Sequence, residues 1–461
     1  MFWEAVRRFY ASLNAIPKVS FALLGCGLAR AWLWWMLSLV SYSDAFPAFS
    51  SHEGHFLFDL GEIIGFFLLP LLAHRFSPFF KRGVLVAAAL ALTLCCTAGT
   101  LIALTFPATG PYALLLIVGA GLGYAFLFLL WLELYGCLTA RPMLIAWTGS
   151  YFLALLIWGL DQISLPGSLD IVWCLLPAAS LFLLFKGFCL VSPQSLPVPM
   201  EHRPSVPWKL IVVLSAFALA FGLGDAVTGQ NMFTWVSKVG MGIPELLVLL
   251  SVVFLYRQFS FRHLVTVAAP LVVAGLVGAF FVGQQAIPSF ILMNAGSETY
   301  LILVYAVACI TARKLGTSAV YLGGLFAGFY KVFLQVGKGA GLTVIGQVHD
   351  VALSTPILAL AMVTMTIVAS IVLVQDRSIV DKFSWKEQSA EPHNVACARL
   401  TEQYHLTPRE ASVLLLLIKK RDTAHIAEEL FLAQSTVRVH ISSIYKKLDV
   451  HSRQELLARI D

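Results

Sequence analysis

The sequence predicts an all-α protein: a polytopic membrane bundle of 12 transmembrane helices arranged six and six, followed by a small cytoplasmic four-helix domain. Three observations predict it. Only 12% of the residues are charged, against roughly 25% in soluble domains, and this charge is segregated, with residues 376–461 holding 25 of the 56 charged side chains. Apolar stretches of spanning length recur twelve times before residue 376. Beyond it, apolar residues return at helical spacings of three and four between capping signals.

The apolar stretches fall at about 19–40, 56–74, 83–106, 112–136, 143–160, 171–191, 209–228, 234–256, 264–283, 289–312, 316–345 and 351–375. Each is close to the ~20 residues that cross a bilayer as a helix. The first is too long for a signal peptide and has no evident cleavage site. Orientation follows from the loops. Arg7, Arg8, Lys18, Arg75, Lys81, Arg82, Arg141, Lys186, Arg203, Lys209, Arg257, Arg262, Arg313 and Lys314 all fall on one side, and no lysine or arginine falls in the loops on the other. Basic loops stay in the cytoplasm, so the N-terminus is expected there, and after an even number of spans the C-terminal domain is too.

Charges inside spans are costly and mark function by default. They are Arg30, Asp59, Glu62, Glu133, Asp225, Lys238, Glu245, Glu298, Lys331 and Lys338. Two readings stay open for them. Arg30 with Glu62, or Glu298 with Lys331, can neutralise each other and lock the bundle. Alternatively Arg30, Glu62, Glu245, Asn294, Glu298, Tyr300, Lys331 and Lys338 line a small-molecule pocket between the halves, with Trp34, Trp131, Tyr124 and Tyr330 supplying aromatic contacts. Gly119, Gly121 and Gly123 suit a close helix-packing face better than a nucleotide loop. The eight cysteines form no CxxC pair, and there is no phosphate loop or HExxH. No catalytic residue, cofactor or metal is expected.

In the tail, Thr407-Pro408-Arg409-Glu410 is a capping box with proline at the first helical position. The helix it opens carries Ala411, Val413, Leu414, Leu417 and Ile418 on its apolar face. A short second helix starts at Asp422 or Thr423, and a third runs from about Gln434 to Leu448. In the third, Val437, Ile441, Ile444 and Leu448 form a core stripe, which turns Gln434, Ser435, Arg438, Val439, Ser442 and Lys446 outward. Ser452-Arg453-Gln454-Glu455 opens a fourth. Two helices and a short turn make a helix-turn-helix, and an outward arginine beside an exposed valine suits guanine and a thymine methyl in a major groove. The alternative is a small bundle used for dimerisation or peptide binding.

Leu406-Thr407-Pro408-Arg409-Glu410, Ile426-Ala427-Glu428-Glu429-Leu430, Thr436-Val437-Arg438-Val439-His440, Ile444-Tyr445-Lys446-Lys447-Leu448 and Arg453 resemble the LuxR-type helix-turn-helix. That resemblance implies base contacts from Arg438, Val439 and Ser442, and places Thr436, His440, Lys446 and Lys447 near the DNA backbone or the core. Two positions depart from the family. Ala433 stands where a serine usually caps the recognition helix, and Lys420 replaces a common glycine. Neither removes a base-contacting position. The domain carries ten Lys and Arg against eight Asp and Glu from Asn394 onward, a weak excess, so pairing of two tails on DNA is expected.

The 6+6 division resembles the major facilitator superfamily. Leu72-Ala73-His74-Arg75-Phe76 is similar to that superfamily's loop motif, with Pro70, His74 and Ser77 replacing its glycine, aspartate and second glycine. The organisation expected is a cytoplasmic segment 1–18, spans one to six in 19–191, a linker 192–207, spans seven to twelve in 208–375, a linker 376–394 and the helix-turn-helix domain 395–461. The function these parts imply is a one-component transcriptional regulator of the bacterial inner membrane, sensing a small molecule through its spans. Its expected partners are double-stranded DNA, membrane lipid, a small-molecule inducer and a second copy of the chain on DNA, with RNA polymerase a candidate. Two alternatives stand beside it: a transporter with a fused regulatory domain, and a DNA-binding regulator on a passive anchor.

Overall fold

The computed structural model describes residues 20–41, 51–105, 110–163, 170–192, 195–197, 206–228, 235–255, 259, 261–282, 287–315, 317–347, 363–364, 366, 397, 400–401, 403–404, 406–418, 421–430 and 432–458. They form two compact units, residues 1–380 and 381–461. Among the described residues there is no strand.

The first unit is built of α1 (Cys26–Ser41), α2 (Ser51–Phe76), α3 (Gly83–Thr105), α4 (Gly110–Gly136), α5 (Ala140–Ile163), α6 (Asp170–Leu190), α7 (Trp208–Thr228), α8 (Trp235–Phe254), α9 (Phe261–Val282), α10 (Ile287–Leu315) and α11 (Val320–Gln347). These eleven coincide with the first eleven expected spans. Ten of them include a stretch long and apolar enough to cross a membrane; in α9 that stretch is the shorter Thr266–Gly278. The twelfth expected span, 351–375, and the linker 376–394 lie outside the described residues, apart from three positions in the former.

Helix contacts repeat with a period of six helices. Within the first half α1 packs on α5, α2 on α4 and α3 on α4; within the second α7 packs on α11, α8 on α10 and α9 on α10. Between the halves α2 meets α11, α5 meets α8 and α4 meets α10. Moving α2 on by six helices and α11 back by six turns the first inter-half pair into the second, α8 with α5, as a duplicated bundle with an internal two-fold axis requires.

Close approach depends on small residues, because lipid tails compete equally for apolar side chains and only backbone contact adds dispersion. At Gly121 an added Cβ would lie 2.1 Å from the carbonyl oxygen of Phe58, and at Gly61 2.0 Å from that of Val118, so α2 and α4 touch backbone to backbone. Gly123 likewise faces the hydroxyl of Thr93. The glycine stripe of α4 is therefore a packing face. Gly121→Ala is expected to force α2 and α4 apart and to destabilise the protein by about 1–3 kcal/mol, read as a lower melting temperature in detergent.

The end of the bundle that carries the basic loops is tied across the halves. Glu133 in α4 accepts the backbone N–H groups of Phe79 (3.1 Å) and Phe80 (2.9 Å) from the turn after α2, and the Ser318 hydroxyl (2.5 Å) from the turn before α11. Arg141 donates to the carbonyls of Val252 and Val253 at the end of α8, each at 3.2 Å. Arg313 donates to the Cys137 carbonyl. Positive side chains here satisfy carbonyls that helix ends leave open.

The second unit consists of α12 (Pro408–Ile418), α13 (Thr423–Glu429), α14 (Gln434–Leu448) and α15 (Arg453–Ala458). Its core comprises Val413, Leu414, Leu417, Ile418, Ile426, Val437, Ile444, Leu448 and Leu456, joined by Cys397 and Leu400 from the preceding segment. Of the expected core stripe, Ile441 is only partly buried. This unit closes its own core.

Candidate DNA interface and charged centre of the membrane unit

The capping box forms reciprocally: the Thr407 N–H donates to Glu410 Oε2 at 2.7 Å, and the Glu410 N–H donates to Thr407 Oγ1 at 3.2 Å. Glu410 does more than cap. Its carboxylate also accepts the Ser443 hydroxyl at 2.6 Å and the Lys447 ammonium at 2.7 Å, both from α14. One side chain thus starts α12 and fixes α14 against it. Arg453 closes the other end of α12, donating to the carbonyls of Leu417 (2.9 Å) and Arg421 (2.8 Å). Asp422 caps α13 through the His425 N–H at 2.8 Å.

With the C-terminal part of α14 held against α12 and its inner face buried in the core, the outer face of α14 is set. Gln434, Ser435, Thr436, Arg438, Val439, Ser442 and Lys446 are exposed, Val439 at 67%. His440 is half-buried, and Lys447 is turned to Glu410. An apolar side chain two-thirds exposed between an arginine and a serine has no packing role in this unit. Beside this face lies an open hollow bordered by Thr423, Arg438, Ser442, Tyr445, Lys446 and His451. The whole face presents one contour of cations, hydroxyls and one methyl-bearing side chain, the mixture that fits a groove edge and its phosphates.

The helix starts on Ala433, which makes no side-chain cap. Ala433→Ser is expected to stabilise the unit by about 1 kcal/mol, a rise in melting temperature of the tail. A pH dependence follows from Glu410. The Lys447 ammonium first, then the Ser443 hydroxyl, hold its carboxyl down at about 2 from an ordinary 4.5. A depressed carboxyl contributes stability that is complete above the unfolded value and is lost as pH falls toward the folded one. Acidification between about pH 4.5 and 2 is therefore expected to cost the domain about 1–2 kcal/mol, trimmed by solvent because the Lys447 side chain stays 35% exposed. In Glu410→Gln that part of the acid sensitivity should vanish from a pH series of thermal melts.

In the membrane unit the span charges pair differently from either pairing the sequence suggested. Arg30 in α1 bonds Glu245 in α8 at 3.3 Å, not Glu62. Lys331 in α11 pairs with Asp59 at 2.7 Å and with Glu62, both in α2, not with Glu298. Gln335 adds a hydrogen bond to Asp59. The physical reason is helix adjacency: α1 lies against α5, which faces α8, and α2 lies against α11. Both pairs therefore span the two halves. Glu298 in α10 lies beside the first of them, since α8 packs on α10 with Gly240 against Asn294, about one turn ahead of Glu245 and Glu298.

Other expected pocket residues lie elsewhere. Lys338 pairs with Asp225 at 3.1 Å inside the second half. Tyr300 stacks on Phe217 and donates to the Leu210 carbonyl at 3.2 Å. Asn294 donates to the Phe290 carbonyl of its own helix at 2.8 Å. Of the aromatics, Trp131 donates to the Ser180 hydroxyl at 2.9 Å, within the first half. Trp34 lies under the Lys238 ammonium, 4.6 Å from the ring centre. The structure adds residues to the centre that sequence reasoning left out of the pocket. The Arg30 guanidinium lies over Trp147 (5.0 Å) and Tyr151 (5.4 Å), and Tyr305 packs against Trp147. Asp59 had a legible signal, since it stands three residues before Glu62 on one helical face.

Residues 404–459 match the family described as bacterial regulatory proteins, luxR family. Over 55 residues, 12% of this chain and 74% of the relative, the tail is 42% identical to the spore germination protein GerE of Bacillus subtilis (strain 168). The membrane unit is similar in fold to solved transporters. One is the major facilitator superfamily transporter FucP in the outward conformation, with a TM-score of 0.50 and 15% identity, covering 76% of this chain and 97% of that one. Another is the proton:xylose symporter XylE bound to 6-bromo-6-deoxy-D-glucose, with a TM-score of 0.50 and 11% identity, covering 80% and 96%. At such identities the likeness is one of fold.

Proposed function

Because the chain belongs to the luxR family of bacterial regulatory proteins and joins that DNA-binding domain to a multi-pass unit of major facilitator fold, we propose that it is a one-component regulator that senses a small molecule within the membrane. The observation that carries the reading is the pair of ion bridges across the halves, Arg30 to Glu245 and Lys331 to Asp59 and Glu62. Charges drawn out of water are expensive unless matched. A ligand that engages either bridge changes the free-energy difference between arrangements of the halves, and only such differential binding shifts an equilibrium. The signal then reaches the tails through residues 376–394 and alters their pairing on DNA.

The basic loops orient the unit. Arg75 is in the last turn of α2, Lys81 and Arg82 lie between α2 and α3, Arg141 starts α5, Lys186 is near the end of α6, Lys209 starts α7, and Arg313 is near the end of α10. The positive-inside rule puts this end, and with it both termini, in the cytoplasm of the inner membrane. There the exposed face of α14, with Gln434, Ser435, Thr436, Arg438, Val439, Ser442 and Lys446 facing DNA and the half-buried His440 and the Glu410-bound Lys447 at its border, meets the chromosome.

The test pairs a reporter with vesicles. A thermal-shift screen on the purified full-length protein identifies a stabilising compound, which should induce or repress a reporter placed behind the protein's own operator. Glu298→Gln and Arg30→Gln should alter that response at normal expression. Unaltered responses in both would reduce the spans to a passive anchor. Uptake of the compound by vesicles, lost in the same variants, would make the protein a transporter with a regulatory tail.

A further inference from the structure

The centre of the membrane unit holds more acid than base. Apart from Glu133 at the loop end, Lys238 over Trp34, and Lys338 paired with Asp225, its buried span charges form two groups of one composition: Arg30 with Glu245 and Glu298, and Lys331 with Asp59 and Glu62. Each contains two carboxyls and one cation. The second group is closed, because Lys331 reaches both carboxylates and Gln335 adds a bond to Asp59. The first is open. Arg30 binds one oxygen of Glu245 at 3.3 Å, and among the described residues Glu298 forms no ion pair. α8 packs on α10 with Gly240 against Asn294, about one turn ahead of Glu245 and Glu298, so the two carboxyls share one buried region and need positive charge beside them.

Two further features surround the open group. Glu245 Oε2 and the indole N–H of Trp147 are buried and have no hydrogen-bond partner. Buried polar atoms without partners cost about 1–3 kcal/mol each, so natural interiors hold few of them. Aromatic faces also gather there: Tyr305 packs against both Trp147 and Phe128, and the Tyr330 hydroxyl bonds that of Ser297, the residue before Glu298. Such faces attract cations. Arg30, lying over Trp147 and Tyr151, already uses two of them in this way.

We propose that the space between the two halves binds an organic cation, a protonated amine on an aromatic or apolar body. Its charge is matched by Glu298 and Glu245, its N–H groups answer Glu245 Oε2, and its rings lie among Trp147, Tyr151 and Tyr305. An anion would add a third negative group beside two carboxyls. A neutral alcohol would leave their repulsion as it was. This inference deepens the sensor reading and rests on it.

The experiment compares three probes of one shape and different charge, 2-phenylethylamine, 2-phenylethanol and 3-phenylpropionate, on the purified full-length protein. Binding is followed by tryptophan fluorescence and by thermal shift. The amine should bind at least roughly tenfold more tightly than the alcohol, a difference of about 1.4 kcal/mol, and the carboxylate more weakly still. Glu298→Gln should remove that preference while leaving the melting temperature of the free protein near its starting value. Should that variant fold poorly, Glu298→Asp keeps the charge, and the amine preference must survive in it. Equal or tighter binding of the alcohol or the carboxylate would overturn the cation assignment and leave the sensor reading standing. Binding of none of the three would overturn the assignment as well. The sensor reading itself falls only by the reporter responses described above.

Discussion

Arg438→Ala in the full-length protein is expected to abolish regulation of a reporter while leaving the membrane unit folded. Arg438 is exposed on α14 beside Val439, and nothing in the tail's core depends on it. Its removal should cost about 1–3 kcal/mol at one base pair and relax the preference at that position, since a forked guanidinium discriminates guanine from the other bases. Fluorescence anisotropy on the operator and on operators altered at single positions measures both effects. Lys446→Ala provides the contrast: affinity should fall about equally on all sequences, and the slope of log K against log salt should shrink by about one. If Arg438→Ala left affinity and preference unchanged, the outer face of α14 would not be the reading face.

Lys331→Ala is expected to have the largest effect on the membrane unit. It strips the cation from Asp59 and Glu62, which are 4% and 1% exposed, and uncompensated buried charge costs about 3–5 kcal/mol. Melting in detergent should drop accordingly, and induction should fail or become constitutive, because this bridge joins α2 to α11 across the halves. Adding Asp59→Asn and Glu62→Gln to Lys331→Ala should restore most of the stability, since the desolvated charges are then gone. A single variant no less stable than the parent would mean that water reaches the bridge freely. A triple variant that regains stability without regaining induction would separate holding the halves together from sensing.

How much of this was readable in the sequence depended on the range of the interaction. The tail was legible because its signals are local: the capping box of Thr407 and Glu410, the core stripe of Val437, Ile444 and Leu448, and the missing cap at Ala433 each span one or two turns. Eleven helices were legible because lipid demands one length and one composition. The buried charged residues were legible by their rarity in apolar spans. Their partners were not. Depth along a helix says nothing of which helices are neighbours, and α2 against α11 bridges well over two hundred residues of chain. Tyr300 shows a related limit, since its hydroxyl donates to the Leu210 carbonyl, and sequence alone does not tell such a backbone partner from a ligand. The second task of Glu410, holding Ser443 and Lys447, was hidden behind its first, because the cap alone accounts for its place in the sequence.

That double task bears on how force travels. The chain arriving from the membrane side enters the tail through Cys397 and Leu400 and reaches Thr407, whose N–H is held by the same carboxylate that grips Lys447. Among the described residues, the start of α12 and the C-terminal end of α14 are thus held by one side chain. Glu410 therefore links Thr407 directly to the C-terminal end of α14, alongside the core contacts of Cys397 and Leu400. A tether spliced with flexible residues ahead of 397 would work as a shock absorber, uncoupling the membrane unit from the promoter without touching either one.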